Sequence, residues 1–93
     1  MSGRKIEIVK ASRNRLEFKL RGEDHTMANL IVKLAIKKPH VTYAAYKVEH
    51  PLIGGLTVVL ATDGTITPIE VLRDVLNDII RLSEEFRKAL EEA

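Results

Sequence analysis

The residues that could carry chemistry are few. Three histidines stand at His25, His40 and His50, and none pairs with another at the i, i+3 or i+4 spacing that lets two imidazoles meet on a helix. Glu23, Asp24 and His25 are contiguous. Adjacent side chains do not converge on one ion without a special loop, and a metal site needs three ligands that point together. The simpler reading has Asp24 and Thr26 satisfying backbone donors at a helix start, with His25 hydrogen-bonded nearby. Ser12 and Ser83 have no neighbouring histidine to act as base. Neither GxGxxG nor GxxxxGK[ST] occurs, so no phosphate cradle is encoded. These residues predict no catalytic residue, no metal site and no cofactor.

Nucleic-acid binding is a second class to weigh. Residues 1–38 hold ten Lys/Arg against four Asp/Glu, and residues 39–93 hold five against nine, which leaves a net charge of +2. A basic first half can face phosphates or an acidic protein surface, or its long charged side chains can simply solvate strands and helix ends. An RNA-reading sheet needs paired aromatics on its open face. Tyr43 and Tyr46 are three residues apart and fall on opposite faces of a regular strand. A free-standing basic nucleic-acid-binding protein remains the alternative reading.

The elements that would position these residues are legible in the pattern. The 93 residues predict one domain spanning 1–93. At 45% hydrophobic and 30% charged the composition is globular. There is no cysteine to cross-link so small a core, which buries only about 60–65% of its unfolded surface. No apolar run approaches the roughly 18 residues of a membrane span, and no signal-peptide pattern follows the basic start. The expectation is a cytoplasmic protein. Absence of Gln and Cys with abundant Lys, Arg and Glu is a mix common in heat-adapted proteins.

Residues 4–10 read as a strand, with Ile6 and Ile8 alternating against Lys5 and Glu7. Ser12, Arg13 and Asn14 make a turn. Residues 15–21 alternate cleanly, Leu16, Phe18 and Leu20 on one face and Glu17, Lys19 and Arg21 on the other, which predicts one buried and one wet face. Thr26 is placed to cap a helix whose stripe is Met27, Leu30, Ile31 and Leu34, widened by Ala28, Val32, Ala35 and Ile36 and ended at Lys37, Lys38 and Pro39. Residues 41–49 form a third strand. Residues 56–61, apolar almost throughout, form a fourth that is central or covered on both faces. Asp63 and Gly64 turn the chain.

Thr67, Pro68 and Glu70 are a helix start with a capping box. Ile69, Leu72, Leu76, Ile79, Ser83, Phe86 and Leu90 then recur at spacings of three and four, with neither Gly nor Pro to interrupt them. About 25 residues give a helix of roughly 37 Å, and a domain of this size has a radius of gyration of about 12 Å. The last turns, around Phe86 and Leu90, are expected to outrun their own sheet. The predicted fold is α+β, a β-β-α-β-β-α two-layer sandwich. Its four-stranded sheet is mainly antiparallel, with the short and the long helix on one face. Surplus apolar helix surface on so small a chain calls for a partner, and a homodimer would also supply one.

Two stretches then add a resemblance. Residues 23–31 carry Glu23, Asp24, His25, Thr26 and Asn29, and residues 41–52 carry Tyr46, His50, Pro51 and Leu52. With the long last helix they resemble the small assembly-platform subunit of archaeal and eukaryotic DNA-directed RNA polymerases, called subunit L in archaea, a relative of the bacterial α N-terminal domain. Ala28 and Ala45 replace glycines common in that pattern, and Glu49 replaces a frequent proline. The resemblance implies a non-catalytic subunit that pairs with a larger platform subunit containing a similar sandwich, nucleates assembly and carries the two large catalytic subunits. Nucleic acid would be met only through the assembled enzyme, and no membrane is involved. It implies a partner interface at Met27, Leu30, Ile31, Leu34, Leu72, Leu76, Ile79, Phe86 and Leu90.

Overall fold

The protein's computed structural model describes residues 6–20, 25–48 and 55–93. Two strands come first, β1 (Ile6–Ala11) and β2 (Arg15–Leu20), then helix α1 (His25–Ala35), strands β3 (Val41–Val48) and β4 (Leu56–Thr62), and the long helix α2 (Pro68–Glu92). The sheet runs β1-β2-β4-β3 and every pairing is antiparallel. The two-layer α+β sandwich is the predicted one.

Strand β2 follows its alternation. Leu16, Phe18 and Leu20 are buried, while Lys19 is exposed and Glu17 half-buried. Leu16 pairs with Leu60, Phe18 with Val58 and Leu20 with Leu56, so both central strands send their apolar residues to the same side. Ala28, Ile31 and Ala35 of α1 and Val71, Leu72 and Val75 of α2 close over them. Strand β4 is central, and five of its seven residues from Leu56 onward are buried in succession.

Several boundaries differ from expectation. Strand β1 continues to Ala11, and Arg4 and Lys5 lie outside the described residues, as do Arg21 and Glu49. Its register shifts between Ile8 and Lys10, leaving Val9 as the extra residue of a bulge. Ile6 and Ile8 sit opposite Leu20 and Phe18, on the helix side of the sheet, yet both are exposed. The helices cover the inner strands and leave this edge bare.

Thr26 does not cap α1. The helix already includes His25, so Thr26 belongs to its first turn, where the backbone is helical rather than extended. The inward stripe of α1 is also rotated from expectation. The buried residues are Ala28, Ile31 and Ala35, whereas Met27, Leu30 and Leu34 are half-buried at its flank. Small alanines at the contact let the helix axis approach the sheet closely.

Beyond Ala35 the chain makes a tight turn, with the Lys38 N–H donating to the Ala35 carbonyl. His40 then takes a left-handed backbone, φ 70°. Its carbonyl accepts the Asp63 N–H at 3.0 Å and its Nδ1 lies 2.9 Å from Asp63 Oδ2. The turn into β3 is thereby tied to the turn into α2. Gly64, at φ +92°, supplies the reversal there.

Candidate partner interface

Helix α2 is launched by its cap. Thr67 accepts the Glu70 N–H through its hydroxyl, and the Glu70 carboxylate accepts the Thr67 N–H in return, with Pro68 in the first turn. The hydrogen bonds from the Thr67 N–H and hydroxyl hold the Glu70 carboxyl below its ordinary range. A capped start beside the sheet fixes the direction in which 25 helical residues run.

The first turns pack and the last do not. Pro68, Val71, Leu72 and Val75 are buried, Leu76 and Ile79 are half-buried, and every residue from Ile80 onward is exposed. Among these, Phe86 is 68% and Leu90 60% exposed, with Ile80 and Leu82 also open. The helix overshoots its sheet, and the radius of gyration, 14.4 Å, exceeds the roughly 12 Å of an average domain of this length.

The overhang begins at an electrostatic clasp. Lys38 Nζ lies 2.5 Å from Asp78 Oδ2, joining the turn after α1 to the middle of α2. Arg81 Nη2 stands 3.3 Å from the other carboxylate oxygen. The hydrogen bond from Lys38, with the charges of Lys38 and Arg81, holds the Asp78 carboxyl below the usual range. Asp63 is likewise held down, by its hydrogen bonds to His40 and Thr65.

The expected interface residues therefore divide. Ile31, 1% exposed, and Leu72, 9% exposed, are consumed by the chain's own core. Met27, Leu30, Leu34, Leu76 and Ile79 keep part of their surface, and Phe86 and Leu90 keep most of it. Met27, Leu34, Leu76 and Ile79 pack against the core cluster, and Leu30 is half-buried. Ile69 and Ile80 are exposed apolar residues outside the expected set. Their signal was in the spacing, since Ile69 belongs to the recurring seam and Ile80 follows Leu76 by four residues.

Of the motif residues, Glu23, Asp24, His50, Pro51 and Leu52 lie outside the described residues. The structure brings His25 and Tyr46 together edge to face, with ring centroids 6.3 Å apart at 71°. Two distant stretches of sequence thus meet where α1 begins over β3. Asn29 is exposed. Among the described residues no three His, Asp or Glu side chains gather as a metal ion would need, and no helix is long and apolar enough to cross a membrane.

A small sandwich whose helical layer carries more apolar surface than its sheet can cover is a dimerisation module. The pattern of the RNA polymerase Rpb3/Rpb11 dimerisation domain matches residues 15–89, a span that runs from β2 into the overhang. The chain is 43% identical over 91 residues to DNA-directed RNA polymerase subunit Rpo11 of Pyrococcus furiosus, covering 96% of each. It is 38% identical over 81 residues to the Rpo11 of Sulfolobus acidocaldarius, covering 87% of this chain and 86% of that one. The crystal structure of DNA-directed RNA polymerase subunit L from Thermoplasma acidophilum superposes with a TM-score of 0.80. It covers 94% of this chain and 85% of that one at 16% identity, a likeness of fold. The chain belongs to the RNA polymerase Rpb3/Rpb11 dimerisation domain family.

Proposed function

We propose that this chain is a non-catalytic subunit of a multisubunit DNA-directed RNA polymerase of archaeal type. It pairs through α1 and α2 with the larger platform subunit, whose own sandwich supplies the complementary helices. The pair nucleates assembly and receives the two large catalytic subunits. The chain itself holds no catalytic residue, meets nucleic acid only within the assembled enzyme and works in the cytoplasm. The observation that carries this reading is the exposed seam of α2 from Ile80 to Leu90 in a member of a dimerisation-domain family.

The partner contacts follow from the burial pattern. Phe86 and Leu90 are the anchors, Leu76 and Ile79 the continuation toward the sheet, and Met27, Leu30 and Leu34 the contribution of α1. A fully buried Leu or Phe contributes roughly 1.5–3 kcal/mol relative to exposure. Co-expression with a larger archaeal platform subunit and purification at high salt tests the pairing. The full chain is expected to co-elute one to one, and a chain truncated after Ile80 to lose the partner while circular dichroism still reports the sheet. Equally tight pairing by the truncated chain would overturn the reading. So would a tight homodimer that the larger platform subunit cannot displace.

A further inference from the structure

The helices cover one face of the sheet, and the opposite face has its own chemistry. The register of the strands places Arg15, Glu17 and Lys19 of β2 beside Ala61, Val59 and Thr57 of β4. Those in turn stand beside Tyr43, Ala45 and Lys47 of β3. From β1, Lys10 lies opposite Glu17 and Glu7 opposite Lys19. The face therefore carries Lys10, Arg15, Lys19 and Lys47 against Glu7 and Glu17.

Glu17 offsets part of that excess, chiefly at Arg15. Arg15 Nε holds its carboxylate at 2.9 Å. The Glu17 carboxyl is held below its ordinary range first by that hydrogen bond and then by the charges of Arg15, Lys10 and Lys47. Arg15 is thus paired with Glu17, while Lys10 and Lys47 act on the same carboxylate through their charge.

Between them the surface is concave. A depression of about 160 Å³ is lined by Arg15, Tyr43, Ala45, Tyr46, Lys47, Thr57 and Val59, although the Tyr46 ring packs against the core on the helix side. Among the described residues no helix lies on this side, yet Val59 is only 9% exposed and Thr57 only 4%. The stems of the long side chains beside them shield the central strand while their charged heads stay in water.

We propose that this outer sheet face is a second docking surface, and that its occupant is an acidic polypeptide segment carrying an aliphatic side chain. The aliphatic group seats over Val59 and Ala45, and the carboxylates of its neighbours pair with Lys47 and Lys19, beside the Arg15–Glu17 pair. The partner is a different chain from the one that covers α2, because the two surfaces lie on opposite layers and are free to be filled together. A single-stranded nucleic acid fits less well. Sheets that read single strands stack two or three bases on paired aromatics, and Tyr43 is the single exposed ring on this face among the described residues. Charge complementarity of this kind sets orientation and encounter rate as much as affinity.

The test uses the full chain, a fluorescent peptide of alternating Glu and Leu, and an oligothymidine of equal charge. The peptide is expected to bind with a salt-dependent affinity and to shift the amide resonances of residues 43–47 and 57–59. Lys47 is exposed, so Lys47→Glu leaves the fold intact by circular dichroism. It is expected to weaken the peptide about tenfold. Lys37→Glu, the same charge change at an exposed position in the turn after α1, is expected to weaken it less than about twofold, because a distant exposed charge is screened. Equal weakening by the two variants would reduce the effect to net charge and overturn the proposal. Tighter binding of the oligothymidine through the same residues, or no saturable peptide binding, would overturn it too. Pairing through α2 is read separately, by co-elution with the larger platform subunit, so either proposal can fail while the other stands.

Discussion

Leu72 and Leu90 are the same residue on the same helix, eighteen positions apart, which is five full turns. They point in the same direction. Leu72 is 9% exposed and Leu90 60%. What separates them is what lies beneath: β2 and β4 under the first turns of α2, and nothing of the described chain under the last. Amphipathic spacing records which side of a helix is to be buried. It does not record by whom. The first half of α2 holds the domain together, and the second half carries the same kind of surface exposed, where the proposed partner would cover it.

The largest effect expected from breaking this comparison is at its buried end. Leu72→Ala removes a core side chain and is expected to cost about 2–5 kcal/mol of folding stability. Chemical denaturation of the isolated chain measures it. A loss near zero would mean that the first turns of α2 are no better anchored than the last. The next effect is at the cap. Thr67→Ala removes the hydroxyl that receives the Glu70 N–H and is expected to cost about 1 kcal/mol in the same measurement. Thr67→Ser, which keeps the hydroxyl, is expected to retain most of it.

Local features are legible in the sequence because they depend on neighbours in the chain. The alternation of Leu16, Phe18 and Leu20, the Thr67 to Glu70 box and the mostly apolar run of β4 all emerge as read. Ties between distant residues are not legible. Nothing near Lys38 points to Asp78, forty residues on, and nothing near His40 points to Asp63. The stripe of α1 departs from expectation because Ala28 and Ala35 are small. Hydrophobicity alone favours Met27 and Leu30, whereas close approach to a sheet favours alanine. Ile6 and Ile8 have the alternation of a buried strand, but β1 is an edge that the helices do not reach. For the candidate site, the overhang follows from helix length alone. The loss of Ile31 and Leu72 to the chain's own core needs the packing.

A smaller effect is expected at the junction between the two halves of α2, and its sign with pH is fixed. The folded Asp78 carboxyl titrates below its ordinary value, which is about 3.9 in an unfolded chain. Its pairing with Lys38 therefore contributes in full above that value and is lost as pH falls through the folded one. Asp78→Asn is expected to be less stable than the native chain near neutrality. The gap should close as the pH is lowered below about 4. Thermal unfolding of both chains across that range measures it, and a gap that stays constant down to a pH of about 2 would show that the clasp contributes nothing by its charge.

The smallest effect on the isolated chain is expected at the other end of the comparison. Leu90→Ala is the same substitution as Leu72→Ala, on the same face, five turns later. Exposed positions away from caps and buried networks change stability by no more than about 0.5 kcal/mol. With Leu90 60% exposed, the denaturation midpoint of the monomer is expected to stay nearly where it was. Adding Phe86→Ala, at 68% exposure, should change little more. The same pair of substitutions is expected to act strongly on pairing. Two anchors worth roughly 1.5–3 kcal/mol each correspond to on the order of a hundred- to ten-thousand-fold in Kd. Titration of the larger platform subunit into the native and doubly substituted chains measures this, with the monomer's unfolding curve as its control. If the double variant unfolds earlier but pairs as tightly, the end of α2 belongs to this chain's own fold, and the contrast between Leu72 and Leu90 is not one between core and interface.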